Sequence, residues 1–185
     1  MSRSLGLTLL LAAAPVAVAA PAVTTPDRAA CEVWQRELAF AGSVQRHDAA
    51  AFAAMLDEDT VFDVNTDRPV RGKLAIGQHW AGILAGKVVR LDWYPQHVVA
   101  SADGTLANSS GPYLFENTAA KPASRFAIGH FSTTWRRGAD GAWRVAFDGG
   151  DSGRPATESE VAAFRQGRQQ SCPQITATAL PTIRH

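Results

Sequence analysis

The order of two hydrophobic periodicities most constrains the fold of this chain. Up to Gly86 the apolar residues recur mainly at the spacing of α-helices, and after Gly86 they follow the spacing of long strands. Tight turns at Asp103-Gly104 and Asp140-Gly141 join the strand-like segments. Helices followed by a run of hairpin-connected strands predict the α+β class.

Three helices are predicted in the first half of the chain. The first covers residues 29–46, the second begins after Asp48, which can cap its N-terminus, and the third runs from Gly72 to Gly86. Their apolar faces consist of Val33, Trp34, Leu38, Ala41, Val44, Phe52, Met55, Leu56, Ile76, Trp80, Ile83 and Leu84.

The strand-like segments lie mainly in the second half. The longest contains Pro95, which predicts a bulge or an edge position because proline cannot donate a backbone hydrogen bond. A final helix is predicted over 158–169. The predicted strands are 60–64, 88–101, 105–117, 126–137 and 143–148.

The N-terminus has the pattern of a secretory signal peptide. Arg3 supplies a positive charge, residues 5–18 are apolar, and small residues precede cleavage points after Ala19 or Ala22. The apolar run is short for a membrane span, and an uncleaved anchor is the alternative. We therefore expect a signal peptide over 1–19 and a periplasmic or secreted protein.

The remaining chain suits one domain in length. We expect a flexible leader over 20–28, a folded domain over 29–170 and a C-terminal tail over 171–185. The chain has 18 basic and 17 acidic residues, and removal of Arg3 with the signal peptide would balance them. This balance indicates neither nucleic-acid binding nor attachment to an anionic membrane after cleavage.

The chain contains two cysteines, Cys31 and Cys172, near the two ends of the predicted domain. In an oxidising compartment such a pair favours a disulfide. Neither cysteine has a plausible catalytic neighbour in sequence. We therefore predict a structural disulfide between them.

Ten short segments together resemble the SnoaL-like DUF4440 family of the NTF2-like superfamily. The resemblance covers about residues 33–150 and depends on the order and spacing of the segments. They are Phe40–His47, Asp59-Thr60-Val61-Phe62, Gly72-Lys73-x-x-Ile76 with Trp80, Leu91-x-Trp93-x-Pro95, Asp103-Gly104, Gly111-x-Tyr113, Gly129-His130-Phe131, Thr134-Trp135-Arg136-Arg137, Asp140-Gly141-x-Trp143 and Asp148-Gly149-Gly150.

This resemblance implies an NTF2-like cone, with three N-terminal helices packed on a strongly curved, mixed and mostly antiparallel sheet. Such domains often pair as homodimers through the sheet and enclose a pocket. The superfamily includes ketosteroid isomerase, scytalone dehydratase and polyketide cyclases, as well as non-catalytic binding modules. The fold therefore leaves the function open.

Asp63 is the first candidate catalytic residue. The string Asp59-Thr60-Val61-Phe62-Asp63 is similar to the first strand of ketosteroid isomerase, and the resemblance implies that Asp63 is a general base. The alternative is a structural ion pair between Asp63 and Arg68 or Arg71.

The oxyanion donors of that enzyme are not visible in this sequence. No tyrosine lies near Ala39 or Phe40, and the segment 126–134 contains no carboxylate. His130 is the nearest titratable group, so we predict it as the acid–base partner of Asp63. A half-buried, hydrogen-bonded histidine is the alternative.

Several aromatic residues can line a pocket for a flat ligand, although the same spacing is typical of a core. The chain has no His-x-His or His-x-x-x-His pair and no nucleotide-binding glycine motif, so we expect neither metal nor cofactor. The Gly-Asp-Ser-Gly string at 150–153 is interpreted as a loop. The candidate pocket residues are Trp80, Trp93, Tyr113, Phe131 and Trp135.

Two functions follow from these observations. The first is an exported module that binds a small apolar or aromatic molecule. The alternative is a cofactor-free isomerase or dehydratase with Asp63 as its base.

Overall fold

The structure is a computed structural model that describes residues 26–173. The predicted signal peptide over 1–19 lies outside the described residues, as do most of the predicted leader and tail. The helices are α1 (Pro26–Gln45), α2 (Ala49–Ala54), α3 (Lys73–His79), α4 (Ala81–Ala85), a short 3-10 turn (Pro122–Ser124) and α5 (Glu158–Gln166). The strands are β1 (Leu56–Phe62), β2 (Val70–Arg71), β3 (Val89–Trp93), β4 (His97–Ala100), β5 (Leu106–Asn117), β6 (Phe126–Arg137), β7 (Trp143–Gly150) and β8 (Arg154–Pro155).

The helices begin and end near the predicted residues, with two differences. Asp48 caps α2, since its carboxylate accepts a 2.9 Å hydrogen bond from the backbone N–H of Ala51. Leu56 was expected on that helix but begins β1, where it pairs with Val145 of β7. The predicted third helix is divided at Trp80 into α3 and α4.

The strands form one mixed, mostly antiparallel sheet in the order β2-β1-β7-β6-β5-β3, in which β1 and β7 run parallel. The expected strand over 88–101 is instead two strands, β3 and β4, which both pair with β5. The two strands separate around Pro95, which has no backbone N–H to donate to a neighbouring strand. Gly111 of β5 permits this crossing, because a Cβ at that position would lie 2.2 Å from the backbone oxygen of Tyr94.

The core lies between α1 and the concave face of the sheet. Phe40 of α1 stacks on Phe52 with ring centroids 5.1 Å apart, and it meets Phe62, Trp93 and Trp135 edge-on. Edge-to-face pairs of this kind contribute about 0.5–1.5 kcal/mol each beyond the burial of their area. The aromatic residues therefore join α1 to α2 and to three strands.

The C-terminal helix closes a second, smaller cluster. Val161 and Phe164 of α5 pack with Tyr94 and Leu114 of the sheet. Beyond α5, Cys172 forms the predicted disulfide with Cys31 of α1, across 141 residues of sequence. This disulfide confirms the pairing expected from sequence and ties the end of the domain to its first helix.

The fold class predicted from sequence is confirmed. Between residues 26 and 173 no helix is both long enough and apolar enough to cross a membrane. In the same part of the chain, no group of three or more His, Cys, Asp and Glu side chains is arranged to hold a metal ion.

Candidate functional site

A pocket of about 300 Å³ opens between α3–α4 and the concave face of the sheet. Its volume is at the lower end of the range for small-molecule sites, about 300–1,000 Å³. Three carboxylic acids line it, and Asp63 and Asp148 reach it from different elements, whereas Asp151 also borders a neighbouring cleft. Its apolar wall consists of Trp80, Ile83, Leu91, Trp93, Tyr113 and Phe131.

Asp63 lies at the mouth of this pocket, immediately after β1. Its backbone is left-handed, with φ of 55°, a conformation that aspartate tolerates better than most residues. Thr66 stabilises the turn, since its backbone N–H and its hydroxyl both donate to the carbonyl oxygen of Asp63, at 3.0 and 2.9 Å. The sharp turn at Asp63 thus directs the chain away from β1 at the pocket edge.

The side chain of Asp63 contacts His79 at the end of α3. Nε2 of His79 lies 3.1 Å from Oδ2 of Asp63, and the Asp63 side chain is 37% exposed. The structure therefore pairs Asp63 with His79 rather than with Arg68 or Arg71, the partners considered from sequence. His79 becomes the neighbour because α3 packs against β1, and it lies on the side of α3 that faces the pocket.

The loop after Asp63 is bound to the end of β7. Val64 donates a 3.3 Å backbone hydrogen bond to Asp148. The side chain of Asn65 donates to the carbonyl of Gly150 and accepts from its N–H. Since β1 and β7 are parallel neighbours, these bonds hold Asp63 beside Asp148.

Asp148 is the second acid of the pocket. Burial above all, opposed by a hydrogen bond from Thr133 and assisted by the nearby carboxyls of Glu37 and Asp63, raises the pKa of Asp148 to about 8. The Thr133 hydroxyl donates to Oδ2 of Asp148 at 2.7 Å. Asp148 therefore holds a proton at neutral pH and can donate it into the pocket.

Behind the pocket, Glu37 of α1 is fully buried. The indole N–H groups of Trp93 and Trp135 donate to its carboxyl at 2.7 and 2.8 Å. The hydroxyl of Ser109 also donates to Glu37. Burial raises the pKa of Glu37, and these donors oppose the increase.

Residues 38–168 match the sequence family described as the SnoaL-like domain. The chain belongs to this family. No curated protein matches the chain.

Solved structures similar to this SnoaL-like domain share its NTF2-like fold. An NTF2-like protein of unknown function from Pseudomonas putida KT2440 is 19% identical, with a TM-score of 0.56, and the match covers 71% of this chain and 91% of that one. A ketosteroid isomerase-like protein from Erwinia carotovora atroseptica is 17% identical, with a TM-score of 0.53 and coverage of 66% and 92%. A protein of unknown function with a cystatin-like fold from Nostoc punctiforme is 13% identical, with a TM-score of 0.52 and coverage of 69% and 92%.

Four of the five aromatic residues that were expected in the pocket of this SnoaL-like domain line it, and the fifth lies in the core. Trp80, Trp93, Tyr113 and Phe131 line it. Trp135 does not, because it is completely buried between Phe40 and the sheet. Trp135 lies in the core, where its indole N–H donates a hydrogen bond to the carboxyl of Glu37.

His130, the expected partner of Asp63, lies on the other face of the sheet. Its neighbours Gly129 and Phe131 are buried, whereas the His130 side chain is 77% exposed. Its Nδ1 is 3.6 Å from Oδ2 of Asp151, in a cleft of about 350 Å³ outside the pocket. Strand alternation therefore removes His130 from the site that Asp63 borders.

Two site residues of the SnoaL-like domain, His79 and Asp148, were not selected from sequence. Asp148 was missed because a bulge in β7 changes the face of the sheet on which its side chain lies. Thr134 pairs with Phe147 but Trp135 pairs with Val145, so one residue of β7 is unpaired. Without that irregularity Phe147 would point inward, and in the structure it is 43% exposed.

Proposed function

We propose that this SnoaL-like domain is an exported enzyme of the isomerase or dehydratase type, which moves a proton within a small, largely apolar molecule. The observation that supports this is that Asp63 and Asp148 line one aromatic pocket in different environments. Asp63 is half-exposed and contacts His79, whereas burial keeps the proton on Asp148. Two carboxyl groups in different environments can supply both a base and an acid at one site.

The proposed substrate has a flat apolar body and a carbonyl oxygen. The body would lie against Trp80, Trp93 and Phe131, and the oxygen would face Asp148. Asp63 would then take a proton from the carbon next to the carbonyl. The electron pair of that C–H bond moves toward the carbonyl oxygen, which accepts a hydrogen bond from the Asp148 carboxylic acid.

The reaction ends in one of two ways. In an isomerase, Asp63 returns the proton to a different carbon, and Asp148 keeps its own. In a dehydratase, the substrate loses a hydroxyl group as water, with the proton supplied by Asp148. Both outcomes use side chains of this chain alone.

Proton exchange at carbon tests this proposal before the substrate is identified. A panel of cyclic ketones is incubated with the domain in D₂O, and exchange of the proton next to the carbonyl is followed by NMR. Quenching of tryptophan fluorescence measures binding of the same compounds, since Trp80 and Trp93 line the pocket. The proposal predicts that ketones which bind also exchange.

Asp63→Asn should lower the exchange rate about 10²–10⁴-fold and leave the Kd nearly unchanged, since general acid–base catalysis contributes about that factor. Asp59→Asn is the matched control, because Asp59 is an exposed residue of β1. If ketones bind but their protons next to the carbonyl never exchange, the enzyme proposal is overturned and the binding module is favoured.

We also propose export, homodimerisation through the sheet and membership of the DUF4440 group within the SnoaL-like family. The disulfide between Cys31 and Cys172 supports an oxidising compartment. The mass of the protein recovered from a periplasmic fraction would show whether residues 1–19 are removed. Sedimentation of that protein would show whether it is a dimer.

A further inference from the structure

We propose that a second cavity of this domain binds a small carboxylate with an apolar body. The cavity has a volume of about 360 Å³ and lies between α1, α4, α5 and the edge strand β3. Ile83 and Leu91 line both this cavity and the aromatic pocket, and the other lining residues of the two differ. The second cavity is therefore a separate site, and the proposal does not depend on the proposed function.

The apolar body of the ligand would lie against a wall that five elements and the edge strand build. Phe164 of α5 is buried and packs in one cluster with Leu114 of β5. The start of α5 is fixed by a capping box between Thr157 and Glu160. The wall is thus formed before any ligand binds, as in most small-molecule sites. It consists of Val44, Ile83, Leu91, Leu114, Phe126 and Phe164.

The two acids that line the second cavity already have cationic partners. Asp92 pairs with Arg168, and Glu116 accepts a 2.8 Å hydrogen bond from Nε of Arg125. Neither Arg168 nor Arg125 lines the cavity. Arginines outside the cavity therefore neutralise both of its carboxylates.

The two arginines that line the cavity are less well compensated. Nη1 of Arg90 lies 3.5 Å from Oε2 of Glu116, an acid that it shares with Arg125. The guanidinium of Arg165 lies over the ring of Phe126, with Cζ 5.8 Å from the centroid. Within residues 26–173 Arg165 forms no ion pair. Four guanidinium groups thus accompany two carboxylates, which leaves two positive charges in excess.

A carboxylate matches these arginines because the planar guanidinium presents paired N–H donors to two oxygens. In the proposed complex the ligand carboxylate bonds Arg165 and Arg90, and its apolar body contacts Leu114 and Phe164. Both arginines are exposed, so the charge of the ligand stays close to solvent. This position limits the cost of removing the ion pair from water.

The test compares 4-phenylbutyrate with 4-phenylbutanol, which has the same apolar body and no charge. The whole protein is labelled with ¹³C at leucine methyl groups and with ¹⁵N at tryptophan indoles, and NMR reports where each compound binds. Leu114 lines the second cavity and Trp80 lines the aromatic pocket. We expect 4-phenylbutyrate to shift the Leu114 methyl resonances. If these resonances do not move at any concentration of 4-phenylbutyrate, the proposal is overturned.

Arg165→Gln removes the unpaired cation from an exposed position on α5. The Kd of 4-phenylbutyrate at Leu114 should rise about tenfold or more, because charge-assisted hydrogen bonds are among the stronger ones. Arg136→Gln is the matched control, since Arg136 is an exposed arginine that pairs with Asp57 and lines neither cavity. Equal Kd values for Arg165→Gln and wild type would contradict the proposed contact.

The uncharged alcohol separates the role of the arginine from that of the apolar wall. We expect 4-phenylbutanol to bind more weakly than 4-phenylbutyrate, with a Kd that Arg165→Gln leaves unchanged. Equal affinities of the acid and the alcohol for wild type would overturn the carboxylate specificity. Carbon exchange without a Leu114 shift overturns the second site alone, and a Leu114 shift without carbon exchange overturns the enzyme alone.

Discussion

Nε2 of His79 lies 3.1 Å from Oδ2 of Asp63, so the last residue of α3 contacts the first residue after β1. This contact orients a carboxylate at the mouth of a pocket whose interior contains the protonated acid Asp148. The site is therefore organised by packing of α3 on β1 and by the parallel pairing of β1 with β7.

His79→Ala should slow carbon exchange and leave ligand binding nearly unchanged. Without the imidazole, the Asp63 carboxylate loses the contact that orients it, and misplacing a catalytic group by about 1 Å can lower the rate about 10²-fold. The measurement is the exchange rate and the Kd of the same ketone. His97→Ala serves as the control, because His97 is an exposed residue of β4. Equal rates for His79→Ala and wild type would contradict an orienting role.

Asp148 should make the domain less stable as the pH rises. Its pKa is about 8 in the folded state against 3.8 as the ordinary value, so the folded state binds more protons between these limits. The free energy of unfolding then decreases with pH across that window. The effect is measured by urea unfolding of wild type and Asp148→Asn at pH 5 and pH 8. Each unit of pKa shift corresponds to about 1.4 kcal/mol of unfolding free energy.

The informative quantity is the difference between the two proteins, since other groups also titrate. Asp148→Asn cannot ionise, so its stability relative to wild type should be greater at pH 8 than at pH 5. A difference that does not depend on pH would show that Asp148 is ionised throughout.

Trp135→Phe should destabilise the fold by about 1–3 kcal/mol, because it leaves a buried acceptor on Glu37 without one of its donors. Trp143→Phe is the matched control. Its indole N–H donates to Glu32, which is only partly buried, so we expect about 0.5–1.5 kcal/mol. Urea unfolding measures both values, and an equal loss in the two variants would contradict a special role for the Glu37 contact.

Reduction of the disulfide between Cys31 and Cys172 should lower the free energy of unfolding by about 2–5 kcal/mol. The bond closes a long loop, and opening it increases the entropy of the unfolded chain. Denaturation with and without dithiothreitol measures the change. In the double variant Cys31→Ser/Cys172→Ser, dithiothreitol should have no further effect.

Much of the fold could be predicted from local patterns. The strand expected over 126–137 has the bounds of β6, and Asp48 caps α2 as its position suggested. Pro95 indicated an irregularity, and the structure separates β3 from β4 there. These features depend on backbone geometry and short-range hydrogen bonds, which adjacent residues determine.

The candidate site was harder to predict because it depends on residues that are distant in sequence. Glu37 carried one usable signal, an acidic residue on the apolar stripe of Val33, Ala41 and Val44 in α1. That signal indicates a buried acid but does not identify its partners. Trp93 and Trp135 become its donors through the pairing of strands from the second half of the chain.

The sequence by itself determined the α+β class, the resemblance to SnoaL-like domains and the cysteine pair, because periodicity, turn residues and motif order are local properties. Tertiary structure alone decided which polar side chains meet in the pocket. A single bulge in β7 turns Asp148 inward, and regular alternation in β6 turns His130 outward. One residue of register exchanges the two faces of a strand, and that register is set by pairing with distant strands.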